Sequence, residues 1–382
     1  MLRQTFLIVG VDGRLNPNAQ VIAEDLDWFN ALQRQGSRLN NSVNVSGGGD
    51  NHTVFFSMAN LQEKGYVIES GYDRTTARLN ASFDATSWLS LGGNMSFTTE
   101  KEVGPPSRGA AAANVFSFAK DMGSIYSPYL LDPATNRIVR DEAGNRLWDR
   151  GEGIAELGIQ SRPTLIGRNA LEEAILNNYI ETRNNFTMRF NADFTITEGL
   201  KVSLLYGQDI QNSITQSYQN PIVGDGQPEG RLSDDRFTRT VENFNQLITY
   251  NKSFGDHNLD ITLGHENYNR NFRSNDVFKT TQTASGIFEL DNFSVVADAG
   301  GSRTDKRLEG FFSRINYNFA NKYYLSGSVR RDGSSVFTDN KWGTFYSLGG
   351  SWRIDQENFM NSVSWVNNLK LRGSYGEVGN DA

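Results

Sequence analysis

The sequence has no cysteine, so disulfides, thiolate metal sites and thiol nucleophiles are excluded. It has only three histidines, His52, His257 and His265. A metal centre needs several converging ligands, so no metal or other cofactor is expected. No apolar run reaches the ~18 residues of a membrane helix, and the mean hydropathy is -0.51. Basic charge is not in excess either: the formal net charge is -7, which argues against a nucleic-acid partner. What remains is a chain with 12% aromatic residues and 37 glycines. That composition fits a soluble all-β protein or a membrane barrel, in which only every second strand residue meets lipid.

The alternation of side chains favours the barrel. Phe186, Met188, Phe190, Ala192, Phe194 and Ile196 alternate with Thr187, Arg189, Asn191, Asp193 and Thr195, a period of two without exception. After Thr197-Glu198-Gly199, Leu200, Val202, Leu204 and Tyr206 continue an apolar face, with Leu205 the one misfit. The same pattern recurs at 77–85, 89–97, 311–319, 323–330, 346–354 and 369–375. With weaker candidates at 41–47, 52–60, 240–254 and 257–269, roughly twelve strands are expected, many near the ~10 residues of a tilted membrane strand.

Short turns are expected near 48–51, 86–88, 197–199, 255–257 and 320–322. Between them fall long Gly- and Asp-rich segments near 61–73, 101–180, 214–238, 270–305 and 331–341. Regular short and long connections are the mark of an antiparallel up-and-down transmembrane β-barrel with long extracellular loops. Within the longest loop, 101–180, residues 168–180 read as a short amphipathic helix, and Ala19–Gln35 read as another ahead of the first strand. The chain therefore divides into a partly helical leading segment, 1–39, and one barrel unit, 40–382.

The competing reading is a soluble or surface-attached all-β binding module of adhesin-like type, whose strands also alternate. The two differ on where Phe190, Leu204, Leu325 and Leu348 lie: exposed on one side of the wall, or packed between sheets. An enzyme is not expected. Asp234-Asp235 and Glu172-Glu173 read as solvated loop or helix-face charges rather than a catalytic pair. Gly47-Gly48-Gly49-Asp50 lacks the lysine and following helix of a phosphate loop, so it reads as a turn.

Arg78, Arg189, Arg314, Arg330, Arg353 and Arg372 all take the polar parity and are expected to face the lumen. Trp88, Phe319, Tyr323 and Trp352 stand where an aromatic girdle belongs. Arg331, Asp332, Gly333, Ser334 and Ser335 form the sharpest local motif; Asp-Gly is expected to turn the chain while an Arg–Asp pair fixes the loop base.

The spaced elements after Asn321 carry a resemblance. They run Lys322-Tyr323-Tyr324-Leu325-Ser326, Arg330-Arg331-Asp332-Gly333-Ser334-Ser335, Trp342-Gly343, Gly350-Ser351-Trp352, Glu357-Asn358-Phe359, and Leu369-Lys370-Leu371-Arg372-Gly373-Ser374-Tyr375-Gly376. Upstream, Leu26-Asp27-Trp28, Val45-Ser46-Gly47-Gly48 and Gly65-Tyr66-Val67-Ile68 agree. The pattern resembles the barrel of SusC/RagA-type TonB-linked receptors over most of the chain.

The resemblance implies a bacterial outer-membrane importer for oligosaccharide or peptide ligands. Such a receptor has a barrel of about 22 strands with an internal plug. TonB drives it and a SusD-like surface lipoprotein caps it; outer-membrane lipid surrounds it. No signal peptide, TonB box, plug or terminal aromatic strand is recognised. The chain is accordingly expected to be an internal piece, about half the wall. In a complete receptor, the six arginines are expected to meet carboxylates of the plug.

Overall fold

The computed structural model describes residues 12–14, 27–105, 114–122, 126–135 and 137–379. Twelve strands form one sheet in which each pairs antiparallel with its sequence neighbours. They are β1 (Ser37–Gly49), β2 (His52–Lys64), β3 (Gly71–Thr86), β4 (Leu89–Val103), β5 (Asn178–Thr197) and β6 (Leu200–Gln219). Then follow β7 (Arg231–Phe254), β8 (His257–Gln282), β9 (Phe293–Phe319), β10 (Tyr323–Ser334), β11 (Trp342–Arg353) and β12 (Lys370–Gly376). This is the expected up-and-down meander. It stays open, with β1 and β12 at its two edges.

Cross-strand partners share a face, so the register extends each strand's alternation across the wall. Phe186, Met188, Phe190 and Phe194 stand opposite Phe97, Met95, Gly93 and Leu89. On the far side of β5, Phe190 and Ala192 stand opposite Tyr206 and Leu204. Leu325 and Leu348 are 62% and 65% exposed, Phe190 is exposed and Leu204 half-buried. Among the described residues no second sheet covers them, so they are not packed between sheets as the binding-module reading requires. Leu205 is a true misfit: it lies opposite Asn191 and Asn245 on the polar face.

The turn end of the wall matches the sequence closely. Links of two or three residues lie at 50–51, 87–88, 198–199, 255–256 and 320–322. Gly199 has φ +80° and packs so closely on the Asn251 carbonyl that no side chain fits there. One link departs from the pattern. Residues 354–369 join β11 to β12 through two short helical turns instead of a tight hairpin.

The other end differs more. The long loops expected at 214–238 and 270–305 are mostly strand, and the true connections are 220–230 and 283–292. Above a bilayer both faces of a strand are wet, so period-two alternation vanishes while the hydrogen-bond ladder continues. The connections at 65–70 and 335–341 are shorter than expected for the same reason. Only 104–177 is a genuinely long loop. It carries α2 (Val115–Asp121) and α3 (Ala170–Leu176), joined by short bridges such as Tyr129 to Trp148.

Both helix expectations were too generous. Asn169 caps α3 by accepting from the amides of Leu171 and Glu172, and by Asn178 the chain is already strand. Among the described residues ahead of β1, only α1 (Trp28–Ala31) is helical, capped by Asp27; residues 19–26 lie outside the described residues. The main apolar core sits off the sheet, where this leading segment meets the long loop: Trp28, Leu32, Val115, Phe118, Met122 and Ala174 pack together.

Candidate functional site: the polar face of the wall

The polar face carries ion pairs that the alternation alone could not specify. Arg189 donates to Asp209 at 2.6 Å, and Thr187 donates to the same carboxylate at 2.7 Å. Arg330 bridges two strands, donating to Glu266 at 2.8 Å and to Asp332 at 2.7 Å. Its guanidinium also stands 5.3 Å from the Phe312 ring centroid. Arg183 pairs with Glu100 at 3.4 Å and with Glu181. Asp193 accepts from Ser203 and Asn191 and pairs with Lys201 at 3.0 Å. These carboxylates share the arginines' parity; a search that had followed acidic as well as basic residues would have found them.

Glycines let the paired arginines lie down. A Cβ at Gly207 would stand 2.8 Å from Arg189 Cδ, and one at Gly310 would stand 2.8 Å from Arg330 Nη2. With hydrogen in place of a side chain, the guanidinium stem rests against the backbone of the next strand. Gly264 does the same for the Phe312 ring.

The six arginines chosen from sequence therefore divide. Arg189, Arg330 and Arg353 hold carboxylates of the chain itself, the last through Asp355 at 2.7 Å. Among the described residues, no carboxylate lies within ion-pair distance of Arg78, Arg314 or Arg372. Their cross-strand neighbours are short hydroxyl residues: Ser57 and Ser96 for Arg78, Thr262 and Ser328 for Arg314, Ser351 for Arg372. Near the turn end a groove of about 980 Å³ is lined by Asn316, Asn318, Ser326, Lys370, Arg372 and others. There Lys370 Nζ stands 4.5 Å from the Tyr324 ring.

The signature motif is placed differently from expectation. Asp332 and Gly333 do not turn the chain; they lie within β10, opposite Gly343 and Trp342. Arg331 and Ser334 are also in the strand, and only Ser335 enters the connection. Asp332 anchors Arg330, while Arg331 stands 5.4 Å from the Trp342 ring.

His257 and His265 share the apolar parity of β8. His257 stacks against Phe254 and Phe319, and His265 stacks on Phe311 at 4.5 Å. Trp352 and Tyr323 stack at the turn end, and both donate to Glu357 from the 354–369 link.

At the loop end, buried charges tie separate segments together. Arg150 holds Glu172 at 2.6 Å, while Arg168 holds Glu173 at 2.7 Å and Asp225 at 2.8 Å. Burial pushes the Glu173 carboxyl up despite its arginine, and burial pushes the Arg162 guanidinium down. Breaking such a buried pair typically costs about 3–5 kcal/mol.

No family model matches the chain. Among curated proteins it is 26% identical to TonB-dependent receptor P3 of Formosa agariphila, over 93% of this chain and 34% of that protein. It is 25% identical to TonB-dependent receptor SusC of Bacteroides thetaiotaomicron, over 92% of this chain and 35% of that one. The RagAB peptide importer in its open-open state superposes with a TM-score of 0.73 at 22% identity, over 92% of this chain and 37% of that chain. The wall is of the SusC/RagA type. This SusC/RagA-type wall belongs to the bacterial outer membrane. Its relatives are receptors, not enzymes. The chain spans about a third of the length of the curated relatives it matches.

Proposed function

We propose that this wall serves a TonB-dependent importer of oligomeric nutrients, peptide or glycan, working with a SusD-like surface lipoprotein. The observation that carries the reading is the division of the sheet into one lipid-facing apolar side and one polar side. The likeness to SusC and to the RagAB peptide importer supports it. Residues 40–382 act as one barrel unit, with 1–39 leading into it. β1 and β12 each present an unpaired edge, which hydrocarbon does not tolerate, so further strands complete the barrel.

On this reading the polar face lines the lumen. Arg189, Arg330 and Arg353 stiffen the wall, since their charge is already met there. Arg78, Arg314 and Arg372 are left to meet carboxylates of an internal plug. The 331–335 motif is structural, holding the β10 rim.

Uptake by intact cells tests the import reading. Cells lacking the receptor should lose uptake of either a labelled peptide pool or a labelled oligosaccharide pool. That uptake should also stop when TonB is absent or the proton gradient is collapsed. Undiminished uptake of both pools in the deletion strain would overturn the proposal.

A further inference from the structure

The outer face of the tallest strands turns from apolar to charged above the apolar belt, with arginines in slight excess. On the outward parity, β9 climbs from Phe319 through Tyr317, Ile315 and Phe311 to Glu309, Arg307, Asp305 and Arg303. At ~3.3 Å per residue and a tilt near 45°, Arg307 lies about 28 Å above Phe319. The apolar band of such a barrel is about 25 Å tall, so Arg307 stands at headgroup level and Arg303 roughly 10 Å beyond it.

Two features of this patch are unusual. Arg303 stands directly opposite Arg273 of β8, and like charges in that position repel. Arg273 and Arg307 also lack a carboxylate partner among the described residues. The acids nearby are engaged: Asp305 pairs with Arg303 at 3.0 Å and accepts from Asn271, while Glu309 faces His265 at 3.1 Å. The Arg303 side chain remains 67% exposed. Lower on the wall, Arg331 over Trp342 marks the interface.

We propose that Arg273, Arg303 and Arg307 form a docking face for phosphate groups of an acidic glycolipid in the outer leaflet. The planar guanidinium fork suits phosphate, and a bound anion relieves the Arg273–Arg303 repulsion. The inference rests on the outer-membrane placement, not on import.

The test uses the intact receptor, purified, delipidated and weighed by native mass spectrometry after incubation with bisphosphorylated lipid A or its dephosphorylated form. The parent should retain the phosphorylated lipid at least about tenfold more, and the combined variant Arg273→Gln, Arg303→Gln, Arg307→Gln should lose that preference. Millimolar inorganic phosphate should not displace the lipid. Equal retention by variant and parent would overturn the proposal, as would displacement by free phosphate. A dimer that the variant dissolves with lipid binding unchanged would assign the patch to a second copy instead. Heat-modifiable gel mobility reports folding, and Arg307→Gln alone serves if the combined variant does not fold. Nutrient uptake by the variant separates this result from the import reading.

Discussion

Trp28 donates its indole N–H to the carbonyl of Tyr126 at 2.9 Å, joining the segment ahead of β1 to the long loop. The ring is 3% exposed and meets Phe118 edge-on at 5.0 Å. Trp28→Ala should therefore unpack the loop core while leaving the sheet intact, at a local cost of about 3–5 kcal/mol. Limited proteolysis should show new cleavage within 104–177, with no change in barrel mobility on a gel. Unchanged protection of the loop would count against a shared core.

The glycine floor under the inner face makes a second prediction. A methyl group at Gly264 collides with the Phe312 ring, which itself lies under Arg330. Gly264→Ala should displace both side chains and destabilise the wall by about 1–3 kcal/mol. Equilibrium unfolding in denaturant measures the loss. Gly255→Ala meets no neighbour, and only its positive φ of +56° opposes it.

Facing can be tested by placing one charge on each side of β11. Leu348 is midway along the apolar parity, and Ser347 beside it faces the polar side, hydrogen-bonded to Ser328. Leu348→Arg should cost about 2–4 kcal/mol, whereas Ser347→Arg should be nearly neutral. Equal costs would contradict the assignment of faces.

Acid should loosen the 354–369 link. Arg353 holds the Asp355 carboxyl at about 2, below its ordinary 3.8. A carboxylate held low stabilises the fold above its ordinary value and loses that contribution as pH falls through the bound one. Tryptophan fluorescence should therefore change between about pH 4 and pH 2. Asp355→Asn should flatten that response. Hydrogen bonds also hold Asp132 and Asp141 low in the long loop, adding acid sensitivity at the opposite end.

The unpaired arginines give a functional prediction. If Arg78, Arg314 and Arg372 meet plug carboxylates, their combined replacement by glutamine should loosen the plug. Cells carrying that receptor should become more sensitive to a large antibiotic such as vancomycin. Replacing Arg189 instead should lower barrel stability without opening that route.

Side-chain alternation carried much of the fold, because a wall wet on one face and lipid-bound on the other imposes period two on its sequence. That signal ended where the bilayer ended. Residues 231–239 and 270–279 are strand, yet their scattered apolar residues, Leu232, Phe237, Phe272, Val277 and Phe278, fall on both parities and keep no period of two. Helix limits failed for a local reason: the cap at Asn169 and the start of β5 at Asn178 leave α3 only seven residues. Parity picked out the polar-face arginines, but not which were already paired. That depends on Asp209, Glu266 and Asp332, brought alongside by register and by neighbouring glycines.

The height of β8 and β9 has a consequence for whatever passes through. At ~3.3 Å per residue and 45° tilt, the 27 residues of β9 rise about 60 Å, more than twice the ~25 Å apolar band of such a barrel. The wall is therefore tall on one side, a hydrogen-bonded rampart at β7–β9 that drops away at β10, which has 12 residues. On the import reading, a solute captured at that rim would start on the order of 35 Å above the lipid tails.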